Sequence, residues 1–260
     1  MPATASAPVL KAVEQIKLSR EEIERYHTNG YLGPYALCTP EEMAVIRRQI
    51  EEDVLTSDGP NPNNRVQGRF QDKKLIYDLC THPAIRERIA CLLGPDLILW
   101  AQYFFTKDPG GKEIPWHQDF AYWPIEPAVN LSAWLAIDEV TTENSCVRVI
   151  PGSHKRIVQH VKSIGEMAFG QMADPEGVDV SKAIDMVLKP GEFFLFNEKM
   201  LHQSNANRSN KRRMGMAVRF TVPFVKIEHE RPPLYPNHRA ILVSGRDVLG
   251  FNKLQAPPEK

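Results

Sequence analysis

Apolar positions over the first third of the chain recur at helical spacing. Ser19-Arg20-Glu21-Glu22 reads as a capping box, Ile23 and Tyr26 follow it, and Gly30 is placed to end a short helix. Thr39-Pro40-Glu41-Glu42 repeats the start signal with proline at the first helical position. Met43, Ile46, Ile50 and Val54 then predict a helix from about 40 to 54. A third helix is expected after His82-Pro83, carrying Ile85, Ile89, Leu92 and Leu93 and stopping at Gly94. From Asp96 the pattern changes. Leu97 to Phe105 is too apolar for a half-exposed strand and reads as a buried one, closed by Asp108-Pro109-Gly110-Gly111. Asn130–Ile137, Val147–Ile150, Ile184–Leu188, Glu192–Phe196 and Met214–Val225 are further strand candidates, most of them separated by Gly, Pro, Asn or Ser clusters.

Short strands after a helical third predict an α+β fold with a mainly β core: a two-sheet jelly roll, or double-stranded β-helix of the cupin-like kind, with the N-terminal helices packed on one sheet. A small ligand can sit between such sheets. The expected organisation is a single domain over 1–260, with a loose arm at 1–17, a helical part at 18–95, a jelly-roll core at 96–226 and a C-terminal wrap at 227–260. Between the helices, Ser57–Lys74 is turn chemistry followed by Arg65, Arg69, Lys73 and Lys74, either a surface loop or a lid whose basic side chains meet an acidic group on a small ligand.

Charge and composition narrow the partners. Lys plus Arg and Asp plus Glu both number 32, so no whole-protein field favours nucleic acid or an anionic membrane. Cys38, Cys80, Cys91 and Cys146 lack Cys-x-x-Cys spacing and read as free thiols in a reducing compartment. Neither an N-terminal apolar segment nor a membrane-length run is present, and a cytoplasmic protein with a small-molecule substrate is expected. Oligomeric state is not legible.

The candidate chemistry centres on Pro115-Trp116-His117-Gln118-Asp119-Phe120. Two side chains two residues apart on an extended segment share a side, so His117 and Asp119 can reach one metal ion. Chance alone gives about 0.4 His-x-Asp pairs in a chain of this composition, so the tripeptide by itself is weak evidence. His202, in Leu201-His202-Gln203-Ser204, offers a third ligand. Two imidazoles and a carboxylate on one face form the set that favours non-heme Fe(II).

Five blocks carry a family resemblance: Trp116–Asp119, Trp134–Asp138, Val149–Lys155, Lys189–Glu192, and His202–Ser204 with Arg213. Over about residues 19 to 226 the chain resembles the phytanoyl-CoA dioxygenase family of Fe(II)/2-oxoglutarate oxygenases. The resemblance implies that His117, Asp119 and His202 bind iron, that Arg213 pairs with the far carboxylate of 2-oxoglutarate with help from Ser204, and that Gln118, Trp134 and Tyr103 line the cosubstrate pocket. Arg65 is a looser match to a basic residue at its mouth. O2 is the co-reactant, succinate and CO2 are products, and the implied outcome is hydroxylation of an unactivated C–H of a small, amino-acid-like or secondary metabolite. Related halogenases have a small residue where Asp119 stands, so oxygenation is expected over chlorination. The chemistry itself asks for a guanidinium, since a dianion in an apolar barrel needs its remote carboxylate neutralised; Arg213 could otherwise belong to the basic run Lys211-Arg212. Phe120, Tyr122 and Trp123 form an apolar substrate wall or plain core. If Arg65 and Arg69 face the pocket, a carboxylate- or phosphonate-bearing substrate is favoured. His154 reads as part of a strand-end turn. A cupin-like isomerase or hydrolase, or a metal-binding barrel without turnover, remain as alternatives.

Overall fold

The computed structural model describes residues 16–259, so nearly all of the expected arm at 1–17 lies outside the described residues. Both capping boxes form. Helix α1 (Arg20–Asn29) starts at Ser19 and ends at Gly30 in the left-handed conformation, and α2 (Pro40–Gln49) starts at Thr39. The helix expected to run to Val54 changes at Ile50 into a π-helical turn, Ile50–Val54. Helix α3 (Lys74–Cys80) was not anticipated. Its N-terminus has no side-chain cap, so the sequence offers no start signal, yet it buries Ile76, Leu79 and Cys80. Helix α4 (Pro83–Leu93) is capped by the His82 side chain, which accepts from the Ala84 amide.

The strands are β1 (Tyr31–Ala36), β2 (Leu97–Lys107), β3 (Ile114–His117), β4 (Ile125–Glu126), β5 (Leu131–Ala136), β6 (Val147–Val149) and β7 (His160–Lys162). Then come β8 (Gln171–Ala173), β9 (Ile184–Met186), β10 (Glu192–Asn197), β11 (His202–Ser204), β12 (Arg213–Thr221), β13 (Lys226–Ile227) and β14 (Ile241–Ser244). A six-stranded sheet in the order β1-β10-β5-β12-β2-β14 faces a four-stranded sheet in the order β3-β11-β6-β9, the two layers of a jelly roll. Two expectations need correction. Strand β1, broken in its alternation by an irregular register between Leu32 and Tyr35, pairs with β10 at one edge. The C-terminal segment does more than wrap: β14 pairs with β2 and completes the large sheet. Both edge strands carry too little periodicity to announce themselves.

Burial on both faces explains why the central strands read as continuous apolar runs. On β12, Met214, Met216, Val218 and Phe220 face the helical layer, where Met43, Ile46, Ile85 and Ile89 join the same core. Phe193 and Leu195 of β10 do likewise, while Phe194 and Phe196 turn inward with Trp134 and Ala217 toward Val147 and Val149 of the small sheet. Period-two alternation thus builds two cores from one sheet.

A histidine pair ties the C-terminal segment down. His238 Nε2 lies 2.8 Å from the Trp100 carbonyl, so it must carry the proton, and the Lys253 amide donates to His229 Nε2 at 3.0 Å, so that nitrogen must accept. The Nδ1 atoms are 2.9 Å apart, which leaves His229 Nδ1–H donating to His238 Nδ1. Protonating either ring would set N–H against N–H. Burial pushes His238 down to about 3 and lowers His229. Both groups have depressed values in the folded state, so their contribution is full above the unfolded value of about 6.5 and is lost as pH falls toward 3. Urea unfolding at pH 7 and pH 5 should show a drop in stability that shrinks in His238→Gln, which can still donate to the Trp100 carbonyl but does not titrate; an unchanged drop would count against the pair as its source.

Candidate metal centre and cosubstrate cavity

Strands β3 and β11 run antiparallel with His202 directly opposite His117. Asp119 follows two residues on, at the start of a 3-10 turn (Asp119–Ala121), on the same side as His117. One ligand atom from each of the three lies within 4.8 Å of the others. His117 Nε2 is 3.4 Å and His202 Nε2 3.8 Å from Asp119 Oδ1. Each imidazole is held the same way, its Nδ1 at 2.8 or 2.9 Å from the carbonyl two residues back, Pro115 or Met200. A carbonyl only accepts, so Nδ1 bears the proton and the Nε2 lone pair faces the centre.

Protonation states match. Burial, then the nearby His117, pushes His202 down to about 3, which leaves a neutral imidazole. Burial alone would raise Asp119, but the Arg219 guanidinium outweighs it and holds the carboxyl below the usual range. Arg219 Nη2 donates to Asp119 Oδ2 at 3.1 Å, so that oxygen is taken while Oδ1 faces the histidines. The Nε2 atoms of two imidazoles and an ionised carboxylate, each side chain oriented by a further partner, fit a divalent iron beside open space.

That space is a cavity of about 380 Å³ between the sheets. His117, Asp119 and His202 open onto it, as do Tyr103, Trp134 and Ser204. Arg213 does too, although Lys211 and Arg212 precede it. Arg212 turns out to Asp138 and Glu51, and alternation turns Arg213 in, where it is 1 % exposed. Its Nε donates to the Ser145 carbonyl at 3.1 Å and its Nη1 to that of Phe105 at 3.3 Å, and its guanidinium lies 5.4 Å from the centre of the Trp134 ring. Lys107, opposite Arg213 in the β2–β12 register, donates to Ser204 Oγ at 2.8 Å and to the Asn205 carbonyl at 2.7 Å. Burial, then the charge of Arg213, pushes this ammonium down to about 7.

Other expected residues go elsewhere. Gln118 alternates to the opposite side from its neighbours: its amide donates to the Arg156 and Lys199 carbonyls and its Oε1 accepts from the Val158 amide, so it braces loops outside the cavity. Arg65 is exposed and paired with Asp58 at 2.9 Å. Arg69 is buried within its own loop, bonded to Asp72, Ser57 and the Val54 carbonyl. The basic loop is therefore self-satisfied and neither arginine reaches the cavity. Tyr122 and Trp123 line it, but Phe120, at the 3-10 turn, packs near His160 instead. His154 meets the His27 carbonyl in a turn, as expected. Sequence reasoning missed Arg219, Lys107 and Phe169. Arg219 had a readable signal: a cation inside an apolar strand, six residues past Arg213 and so on the same face.

With the geometry in view, comparison with known proteins identifies the class, an iron- and 2-oxoglutarate-dependent oxygenase. Residues 26–215 match the family model described as phytanoyl-CoA dioxygenase, and the chain belongs to that family. It is 30% identical over 239 residues to dioxygenase lolE1 of Epichloe uncinata, covering 86% of this chain and 90% of that protein. It is 28% identical to the peroxisomal phytanoyl-CoA dioxygenase of Homo sapiens, covering 78% of this chain and 68% of that one. Among solved structures it resembles CytC3 with Fe(II) and alpha-ketoglutarate at 28% identity and a TM-score of 0.70, covering 92% of this chain and 93% of the other. The cofactors are Fe(II) and 2-oxoglutarate.

Gly215 carries the cavity's shape. A Cβ there would lie 2.1 Å from the Trp134 indole, so the bare backbone is what lets that ring lie across β12 beside Arg213. Gly215→Ala should displace the indole, change near-UV dichroism and lower stability by about 1–3 kcal/mol; a variant with unaltered spectrum and unfolding midpoint would show that the ring has room to spare.

Proposed function

We propose that this protein hydroxylates an unactivated C–H bond of a small metabolite, converting 2-oxoglutarate and O2 to succinate, CO2 and the alcohol. The observation that carries this reading is the convergence of His117, Asp119 and His202 in the cavity that also holds the inward guanidinium of Arg213. When bound, the iron supplies the oxidising chemistry, with 2-oxoglutarate as the source of two electrons. The protein's part is to bind, orient and keep water out.

His117 and His202 present Nε2, and Asp119 presents Oδ1 while Arg219 holds its other oxygen. Arg213 is the residue for the remote carboxylate, since its cationic group is fixed by two carbonyls that neutralise nothing. Ser204 Oγ accepts from Lys107, which leaves its own O–H free to donate to the same carboxylate. Tyr103, Phe105 and Trp134 make the wall apolar, which strengthens each of these contacts. Tyr122 and Phe169 stand edge-on to His117, with ring centres at 5.7 and 5.0 Å, and screen that ligand from solvent. At about 380 Å³ the cavity is near the lower end of the usual range for ligand sites, about 300–1,000 Å³, and it must hold the cosubstrate as well. A small substrate, or the small reactive end of one, fits that volume. The retained carboxylate at Asp119 favours oxygen transfer over halogen transfer.

Fe(II)-dependent release of succinate from 2-oxoglutarate should be abolished by a chelator and restored by iron. Arg213→Gln should weaken anaerobic 2-oxoglutarate binding about 10-fold to 100-fold, the worth of a charge-assisted hydrogen bond or two, with metal binding retained. With substrate and excess chloride, mass spectrometry should show a hydroxylated product; a chlorinated main product would overturn the hydroxylase reading.

A further inference from the structure

Two residues of the cavity wall carry buried donors that find no partner among the described residues. Arg219 is 2 % exposed, and of its guanidinium only Nη2 is used, on Asp119. Nε and Nη1 are buried without a hydrogen-bond partner among the described residues. The guanidinium carbon sits 4.3 Å from the centre of the Trp123 ring, and Trp123 Nε1 is likewise buried and unpartnered. Both residues line the cavity, together with Tyr103 and Pro233. Folded proteins pair nearly all such buried groups, so three orphan N–H sites on adjacent side chains point to an acceptor that arrives from outside.

The character of that acceptor follows from the donors. All are N–H groups and none can accept, so the ligand must present acceptor oxygens; a hydroxyl or carbonyl can supply those, but only an anion also answers the charge of the guanidinium. The set carries a full positive charge, and its one carboxylate neighbour is shared with the metal centre. A planar guanidinium with two free positions matches an oxyanion. Arg213 is not a rival for the same group: six residues of β12 separate the two, about 20 Å of strand.

We propose that the substrate bears a carboxylate or an equally compact oxyanion, which docks on Arg219 and the Trp123 indole, making these two residues the determinants of specificity for an acidic substrate. This rests on the oxygenase reading above and adds the substrate's class to it. The anionic ligand anticipated for the Arg65 and Arg69 loop thus finds its cation on the large sheet instead.

Calorimetric titration tests this without turnover. Protein loaded with Mn(II) and saturated with 2-oxoglutarate is titrated with a panel of small aliphatic and aromatic carboxylates, each beside its primary amide. Carboxylates should bind about tenfold or more tightly than their amides, and Arg219→Gln should erase the preference. Arg219→Lys should restore part of it. Because Arg219 also holds Asp119, Trp123→Phe serves as the second variant. It keeps the ring under the guanidinium, should reduce the preference, and should leave 2-oxoglutarate affinity within about twofold of wild type, in contrast to Arg213→Gln. A panel with no carboxylate advantage, binders or not, overturns the proposal. So does a preference that survives in both variants. Equal loss of 2-oxoglutarate binding in Trp123→Phe and Arg213→Gln also overturns it, by assigning the orphan donors to the cosubstrate. Failure of the oxygenase reading shows separately, as wild-type protein that binds Mn(II) but not 2-oxoglutarate; the panel on Mn(II) protein alone then still decides whether Arg219 takes an anion.

Discussion

The opposition of His117 and His202 across the β3–β11 ladder is the constraint on which the site depends. A strand side chain has only two directions, and a one-residue slip would turn either histidine out of the cavity. The ladder is short, so its register is reinforced locally: each ring is pinned through Nδ1 to the carbonyl two residues before it. That bond also fixes the tautomer, so the backbone decides both where the ligand atoms are and what state they are in. The Asp119 carboxylate is then aimed from the facing sheet by Arg219. The candidate ligands come from the small sheet and the turn that follows β3, and their countercharge from the large sheet, so the spacing of the two layers sets the geometry of the site.

The large sheet can carry two inward arginines because its other face is well anchored. Met214, Met216, Val218 and Phe220 lock β12 against the helical layer, and the same alternation leaves Arg213, Ala217 and Arg219 no direction but inward. Their desolvation cost is offset by neighbours chosen for the purpose: backbone carbonyls and an indole for Arg213, a carboxylate and a second indole for Arg219. Gly215 between them keeps the backbone low enough for Trp134 to lie across it. One strand therefore joins the packing of the core to the electrostatics of the cavity.

What could be read from the chain follows from this arrangement. Capped helices α1, α2 and α4 announce themselves, because caps are local. Central strands are visible as long apolar runs, because both faces are covered. Helix α3 has no cap, and β1 and β14 are edge strands whose pairing is decided by distant partners, so none of the three carries a local signal. In the cavity, His117, Asp119, His202 and Arg213 were legible through spacing and resemblance. Gln118, which the resemblance puts in the cosubstrate pocket, is sent outward by the same alternation that turns His117 and Asp119 in. Of the two readings of the 57–74 segment, loop or lid, the structure has the loop, and a sequence cannot choose between them because it shows the charges of Arg65 and Arg69 but not the Asp58, Asp72 and carbonyl partners that consume them. Arg219 is the converse case, since what marks it is its surroundings, the Asp119 oxygen it holds and the donors left unpartnered among the described residues, neither of which a sequence displays.

Charge balance connects these observations. A buried space does not tolerate a large net charge, so the charges of its walls constrain what enters. Arg213 and Arg219 outnumber the carboxylate of Asp119 by one, leaving aside Lys107, whose ammonium is pushed down to about 7 by burial and the charge of Arg213. Divalent iron raises the surplus to three, and dianionic 2-oxoglutarate brings it back to one. A neutral substrate would leave that positive charge closed into an aromatic cavity beside unpaired N–H groups; a monoanion removes both the charge and the orphan donors. On the proposed reading the two arginines divide the work, one matched to the cosubstrate common to the class and the other to an acidic substrate.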